Sequence, residues 1–416
     1  MEEVYAVIDL KSFYASCECV LRGLDIFTTP LVVADKTRSI NSVVMSVTPY
    51  LKERYHVPNV CRIQDLPEIK EMIFATPRMA KYVEISAKVV SIFLDFVDEE
   101  DLHVYSIDES FLYISPYLKL YNCTPFELVE RIQKRIYNEL GLVATSGLGA
   151  NMFLAKACLD NDGKKHPPYR AYWGYQDVPS KLWAIPNLQK VWGISTGISN
   201  RLHKIGIRTL ESLAKADIDS LQKEFGIIGL QLHDLANGID CTNIRETYVP
   251  AERNLSKAQV LMRDYSVKEA KLILREMTDD LCVRLRAANS KVKQVSCYCG
   301  YARSAEYLGF SRQSSLDIAT DDNDLLYEAI LRIFDRFVEP LSIRMLGIGF
   351  AKLSPCEDQQ YSLLESTPRQ ESNHRLYRTI DRLNEIYGKN TVLRASSLLE
   401  ASTIRERHQQ IGGHKA

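Results

Sequence analysis

Three carboxylates have the types and the placing for chemistry on phosphates. Asp9 closes a short apolar run, Val4-Tyr5-Ala6-Val7-Ile8-Asp9, and Asp108-Glu109 stand in a second run, His103 to Ile114. Acids gathered at one point repel one another unless cations neutralise them. Hard, oxygen-preferring Mg²⁺ is the usual partner, commonly shared with substrate phosphates. Two such ions roughly 3.5–4 Å apart could activate an attacking oxygen and stabilise a leaving one. An Asp-Glu pair at a hairpin tip is equally an ordinary solvated turn, so spacing alone leaves both readings open.

These acids need elements to bring them together. The run Val4–Asp9 predicts a buried strand with an acid at its C-terminal end, and Ser12 could cap the helix that follows. Leu31–Ala34 and Ser42–Met45 are further strand candidates. Met79–Val97 has helical periodicity, with Val83, Ala87, Val90 and Leu94 on one face. His103–Ile114 reads as two strands with a tight turn at Asp108-Glu109, followed by a helix over 125–140 and a strand over Leu142–Ser146. Residues 180–240 read as short helices broken by glycine, and 241–252 as a polar linker. Residues 253–353 then run strand (Leu255–Met262), helix (Val267–Ala287), strand (Val292–Gly300), strand (Glu306–Arg312), helix (Asp322–Phe337), strand (Ile343–Phe350). That order predicts a four-stranded antiparallel sheet with two helices on one face.

Composition narrows the class. The 416 residues are 46% hydrophobic and 25% charged, values of an ordinary folded chain of several domains. No apolar run approaches the ~18 residues of a membrane span, and the start, Met1-Glu2-Glu3, is acidic where a secretory leader is basic. Ten cysteines include no C-x-x-C pair, which argues against a zinc ribbon and reads as reduced thiols in a cytoplasmic protein. Net charge is −1, a value that counts against a nucleic-acid binder. The average conceals a trend: residues 1–113 hold 11 basic and 18 acidic side chains, and residues 253–300 hold 10 and 5. An acidic first third could hold metal, and a basic later segment could hold phosphate.

Ile8-Asp9-Leu10-Lys11-Ser12-Phe13-Tyr14-Ala15-Ser16-Cys17-Glu18 resembles the opening signature of Y-family (translesion) DNA polymerases. Tyr105-Ser106-Ile107-Asp108-Glu109-Ser110-Phe111-Leu112 is similar to that family's S-I-D-E motif. Order and spacing match as well, and the resemblance extends to about residue 365, most closely to the UmuC-type branch and its Gram-positive UV-damage repair proteins. It implies an α+β multidomain right-hand polymerase. The expected parts are a ferredoxin-like palm (1–14 and 74–168), small fingers (15–73) and a helical thumb with a helix–hairpin–helix (169–240). A linker (241–252), a β-α-β-β-α-β little finger (253–353) and a C-terminal tail (354–416) complete it. By the resemblance Asp9, Asp108 and Glu109 are the catalytic carboxylates, with the Leu10 carbonyl a further ligand of two Mg²⁺ ions, for which Mn²⁺ could substitute. Ser106 would orient the site. Phe13 and Tyr14 would contact the incoming dNTP, and Tyr14 matches the steric gate, where a ring under the sugar leaves no room for a ribose 2′-OH.

Triphosphate needs further cations. In the fingers the family's Tyr-x-x-x-Arg-like segment corresponds to Tyr50 and Arg54, although the usual arginine position falls on Lys52 or Glu53. Gly147 to Lys156 is similar to a family helix start, with Met152 at a commonly basic position. The lysine expected on phosphate after it is Lys164, with Lys165 as the alternative. Trp192-Gly193-Ile194-Ser195-Thr196-Gly197 resembles a helix–hairpin–helix, whose Gly193 and Gly197 let backbone N–H groups approach DNA phosphate. Arg253, Lys257, Arg263, Lys291 and Lys293 supply the little finger's phosphate contacts. Gln360-Tyr361-Ser362-Leu363-Leu364 looks like the bacterial sliding-clamp pentapeptide. The expected protein is a monomeric, low-fidelity, damage-bypass polymerase of dNTPs on primer–template DNA, without proofreading. A two-metal nuclease and an inert DNA- or clamp-binding protein are the rival readings.

Overall fold

Tyr5–Leu10 (β1) is buried along nearly its whole length and forms the middle of a sheet. The computed structural model describes residues 3–37, 41–246, 249–250, 252–302, 305, 307–356 and 367–416, with backbone only for 367–371. The chain divides into two compact units, residues 1–247 and 248–415. No described helix is long and apolar enough to cross a membrane.

In the first unit β1 leads into Phe13–Val20 (α1). Leu31–Val33 (β2), Ser46–Val47 (β3), Pro49–Tyr55 (α2) and Ile73–Ala75 (β4) follow, then Met79–Leu94 (α3), Leu102–Val104 (β5) and Glu109–Tyr113 (β6). Ser115–Leu120 (α4), Pro125–Leu140 (α5), Ala144–Gly149 (β7), Met152–Cys158 (α6) and Arg170–Trp173 (β8) come next. The main sheet has the order β5-β6-β1-β7-β8, with β1 antiparallel to both neighbours and β7 parallel to β8. Helices α1, α3 and α5 supply apolar side chains to the cluster on one of its faces. Helix α5 starts at a reciprocal cap between Thr124 and Glu127 and ends at Gly141 in the left-handed region. A second small sheet, β3-β2-β4, encloses its own apolar cluster with α2. Four short helices, Thr196–Lys204 (α7), Leu210–Ala214 (α8), Ile218–Phe225 (α9) and Ile227–Ala236 (α10), share a third.

Several local expectations are corrected. Ser12 stands at the start of α1 but makes no capping hydrogen bond; it is left-handed (φ 50°) and its hydroxyl is buried without a partner among the described residues. Ser42–Met45 is no strand: Val43 makes one bridge to Arg62, and pairing starts only at Ser46. Helix α3 buries Tyr82, Ser86, Val89 and Phe93, while Val83 and Leu94 are exposed. The charged row Lys81, Glu84 and Lys88, ion-paired along the helix, marks the solvent side, and Val83 and Leu94 lie beside it. Glu109 is the first residue of β6 and not the tip of a turn.

The second unit runs Leu255–Tyr265 (β9), Val267–Ala287 (α11), Ser290–Tyr301 (β10), Gly309–Thr320 (β11), Asn323–Phe337 (α12), Ile343–Pro355 (β12). The sheet order is β11-β10-β12-β9, antiparallel throughout. The strands run on past their expected C-terminal ends because strand ends lose apolar alternation before they lose pairing. Strand β10 also starts two residues early, and β11 starts at Gly309 rather than at Glu306. Inward positions Leu261, Val295, Cys297, Leu346, Ile348 and Phe350 meet the apolar faces of α11 and α12. The helix Thr367–Tyr387 (α13) follows, and Arg286 of α11 forks onto Asp381 at 2.6 and 3.0 Å.

Candidate active site

Pairing of β1 with β6 sets Asp9 directly across from Glu109. The bend before β6 is held by two backbone bonds, the N–H groups of Tyr105 and Ser106 both donating to the Glu109 carbonyl at 3.0 Å. Asp108 is fixed beside β1 because the Leu10 N–H donates to its carbonyl at 2.9 Å, while the Ser106 hydroxyl donates to its carboxylate at 2.8 Å. The three acids therefore gather at the same end of the neighbouring strands β1 and β6. Burial pushes the Asp9 carboxyl up to about 6; the nearby charges of Asp108 and Glu109 add to the rise and Lys164 opposes it. The donors are all oxygen, with neither thiolate nor imidazole in the set, which fits a hard divalent cation.

Lysines surround these acids. Lys156 lies 2.7 Å from Glu109, both side chains about nine-tenths buried, and 3.1 Å from Asp160. Lys164 lies 3.1 Å from both Asp160 and Asp9. Glu109, Lys156, Asp160, Lys164 and Asp9 thus form an alternating chain of charges that closes back on the β1–β6 pair. Lys156 reaches this position because α6 lies on β7: a Cβ at Gly147 or Gly149 would sit 2.2 or 2.4 Å from the backbone of Ala155. Asn151 caps α6 by accepting from the Leu154 N–H at 2.8 Å. Met152 is buried core beside it, and Lys165 is exposed and turned to Asp162.

Two cations join the site that the sequence reading did not choose. The Lys11 ammonium lies 4.4 Å over the Tyr169 ring and donates to the Lys164 carbonyl at 3.4 Å. Lys52, half-buried on α2, has its pKa lowered by burial and by the charges of Lys11 and Lys164, with Asp9 opposing the fall. Arg54, the expected fingers cation, is exposed in the last turn of α2. Tyr50 is half-buried in the small fingers-side cluster, edge-on to Tyr55 at 6.0 Å. The correction is one of helical phase: positions 50 and 54 share a face and 52 points away from it, and the segment is too short for periodicity to say which face looks to the acids.

Tyr14 is half-buried, 5.5 Å from the buried Phe13 ring and 4.9 Å from Tyr82. Tyr82 donates to the buried Glu18 carboxylate at 2.7 Å, and Arg78 forks onto Glu18 at 2.9 and 2.7 Å. This joins α1 to α3 beneath Tyr14.

Gly193 is left-handed (φ 91°), and Ser195 caps α7 by accepting from the Ile198 N–H at 3.3 Å. A Cβ at Gly197 would meet nothing closer than 3.8 Å, so this glycine is exchangeable as far as space goes. The Trp192 indole donates to the Tyr105 hydroxyl at 3.1 Å and packs on Phe111.

In the second unit the five expected phosphate contacts separate. Lys257 points to the helix side of the sheet and is ion-paired with Asp280, and Arg263 is paired with Glu269 at 2.6 Å. Arg253 and Lys293 are exposed and Lys291 half-buried, and these three carry no ion pair among the described residues. Gln360, Tyr361, Ser362, Leu363 and Leu364 lie outside the described residues.

Comparison with known proteins agrees with this architecture. The model of the impB/mucB/samB family matches residues 8–160, and the model of its C-terminal domain matches 252–363. A model described as the thumb domain of DNA polymerase-iota matches 187–240. A Bacillus subtilis protein, UvrX, named for UV-damage repair, is 34% identical over 98% of this chain and 97% of its own. DNA polymerase IV 2 of the same organism is 31% identical over 99% of each. A solved Y-family DNA polymerase chimera superposes with a TM-score of 0.67 at 18% identity, covering 85% of this chain and 99% of its own. The chain belongs to the impB/mucB/samB family, the Y-family of DNA polymerases. Binding of template DNA and dependence on a divalent metal come with that membership.

Proposed function

We propose that the chain performs low-fidelity, template-directed DNA synthesis past damaged bases, as its family does, with Asp9, Asp108 and Glu109 as the catalytic carboxylates. The observation that carries the assignment is the cross-strand meeting of Asp9 and Glu109, with Asp108 held beside them. These acids and the Leu10 carbonyl would hold two Mg²⁺ ions, which, when bound, ease removal of the primer 3′-OH proton and stabilise the pyrophosphate leaving group. The protein's own groups do the positioning. Ser106 orients Asp108, and Lys156 holds Glu109 in register. Lys164, Lys11 and Lys52 present positive charge to the triphosphate. Tyr14, backed by Tyr82, would lie under the sugar and exclude a 2′-OH.

The regions 1–14 with 74–168, 15–73, 169–240 and 253–353 act as palm, fingers, thumb and little finger. The α7 N-terminus with Gly193 serves the DNA backbone in the thumb, and Arg253, Lys291 and Lys293 serve it in the little finger. Gln360–Leu364 recruits the bacterial sliding clamp to a polymerase that works as a monomer. Primer extension with Mg²⁺ on damaged and undamaged templates tests the reading. Asp108→Ala should lower the rate by roughly 1000-fold or more, the scale of several kcal/mol of charge stabilisation; equal extension by wild type and variant overturns the site. Nicked template in place of released pyrophosphate would favour the nuclease reading.

A further inference from the structure

Asp321, Cys356 and His374 are far apart in sequence and meet in the second unit. Asp321 follows the end of β11, Cys356 follows β12, and His374 stands on α13. A carboxylate oxygen, the sulfur and a ring nitrogen all lie within 4.8 Å of one another. The backbone around each is fixed. Arg286 donates to the Asp321 carbonyl at 3.3 Å, Cys356 N–H donates to the Asn289 carbonyl at 2.9 Å, and Asn373, next to His374, donates to Asp322 at 2.9 Å. Asp321 is 9% exposed, and its Oδ2 accepts no hydrogen bond among the described residues although His374 Nδ1 is 2.7 Å away. An aspartate and a histidine that merely paired would align the ring N–H with that oxygen. The Asp321–His374 pair and the Cys356 sulfur bring three different donor types together at one place.

We infer that Asp321, Cys356 and His374 form a second, structural metal site of the zinc type, separate from the polymerase carboxylates. One thiolate, one imidazole and one carboxylate are donors that zinc takes readily, and a tetrahedral zinc holds such atoms about 3–4 Å apart. The Asp321–His374 pair would therefore open slightly from 2.7 Å, while the sulfur lies within the 4.8 Å limit of both. Water or another group completes the tetrahedron. Binding takes Cys356 as its thiolate and releases its proton to solvent. The ion ties α13 to the ends of β11 and β12.

The test uses the full chain, stripped with chelator and kept in excess Mg²⁺ so that the carboxylate site does not take the probe. Titration with Co²⁺, then Zn²⁺, should give about one metal per chain, with a thiolate-to-cobalt charge-transfer absorption and a rise in Tm on adding zinc. Cys356→Ser should lose the charge-transfer band and His374→Gln should abolish the zinc-dependent rise, while Cys241→Ser, at the exposed thiol, and Asp108→Ala keep both. Metal-free Tm values equal to wild type exclude misfolding, and if Cys356→Ser does not fold, His374→Gln decides alone. No stoichiometric cobalt binding by wild type, or a band and Tm response unchanged in the folded variants, overturns the site.

Discussion

At the scale of single residues, we propose that Lys52 rather than Arg54 serves the triphosphate. Lys52 is half-buried and feels the charges of Lys11, Asp9 and Lys164, whereas Arg54 is exposed in the last turn of α2. Lys52→Ala should raise KM for dNTP by about tenfold, the loss of one charge-assisted interaction of ~1.4 kcal/mol, while Arg54→Ala leaves it unchanged. Steady-state single-nucleotide insertion measures both, and a larger effect at Arg54 would reverse the assignment. Tyr14 belongs to the same scale. Its ring rests on Tyr82 at 4.9 Å, so Tyr14→Ala should open space at the sugar and raise ribonucleotide incorporation relative to dNTP without abolishing synthesis. Asp9, Asp108 and Glu109 stood out because their types and spacing follow a motif, whereas Lys164 stood where the chain lacks the family's lysine-proline pair, and only the fold set it beside Asp9. Lys11 was hidden in that motif as a flanking residue, and Asp160 carried no signal, since its role depends on where α6 and the π-helical turn after it carry the chain.

Among elements, α1 and α3 are joined by one buried carboxylate. Glu18 is fully buried and receives Tyr82, Arg78 and Arg22. Burial alone would raise its pKa, but the bonds from Arg78, Tyr82 and Arg22 outweigh this and hold it below the ordinary carboxylate value. A depressed folded pKa means stability that is full above the unfolded value and lost as pH falls through the folded one. Glu18→Gln should therefore cost about 2 kcal/mol at neutral pH, and the gap from wild type should shrink below about pH 4. Urea midpoints across pH measure this; a gap independent of pH would assign the loss to packing. Strand and helix order in both units was readable from apolar periodicity. The inner face of α3 was carried by its charged row Lys81, Glu84 and Lys88, which marks the solvent side and which apolar spacing alone passes over. The start of β3 was not readable, because the strand is too short to alternate.

For the whole molecule, the net charge of −1 hides how charge is distributed. The basic excess of residues 253–300 offers five candidate cations for phosphate, but Lys257 and Arg263 are taken up by Asp280 and Glu269. DNA affinity should fall steeply with salt, and replacing Arg253, Lys291 and Lys293 together should reduce the slope of log K against log salt by about 1 for each phosphate no longer neutralised. Lys257→Ala should leave the slope unchanged. Fluorescence anisotropy of labelled primer–template at several salt concentrations distinguishes these outcomes. By itself the sequence determined the family, the α+β class, the order of elements and the three acids, because motif, periodicity and residue type are local properties. Only the tertiary structure decided which lysines close the chain of charges between Glu109 and Asp9, the neutralisation of Lys257 by Asp280, and the meeting of Asp321, Cys356 and His374. Each of these brings together residues remote in sequence, and which of them meet is fixed by strand register and helix packing; the local pairs, Lys156–Asp160, Lys164–Asp160 and Arg263–Glu269, follow from spacing along one segment.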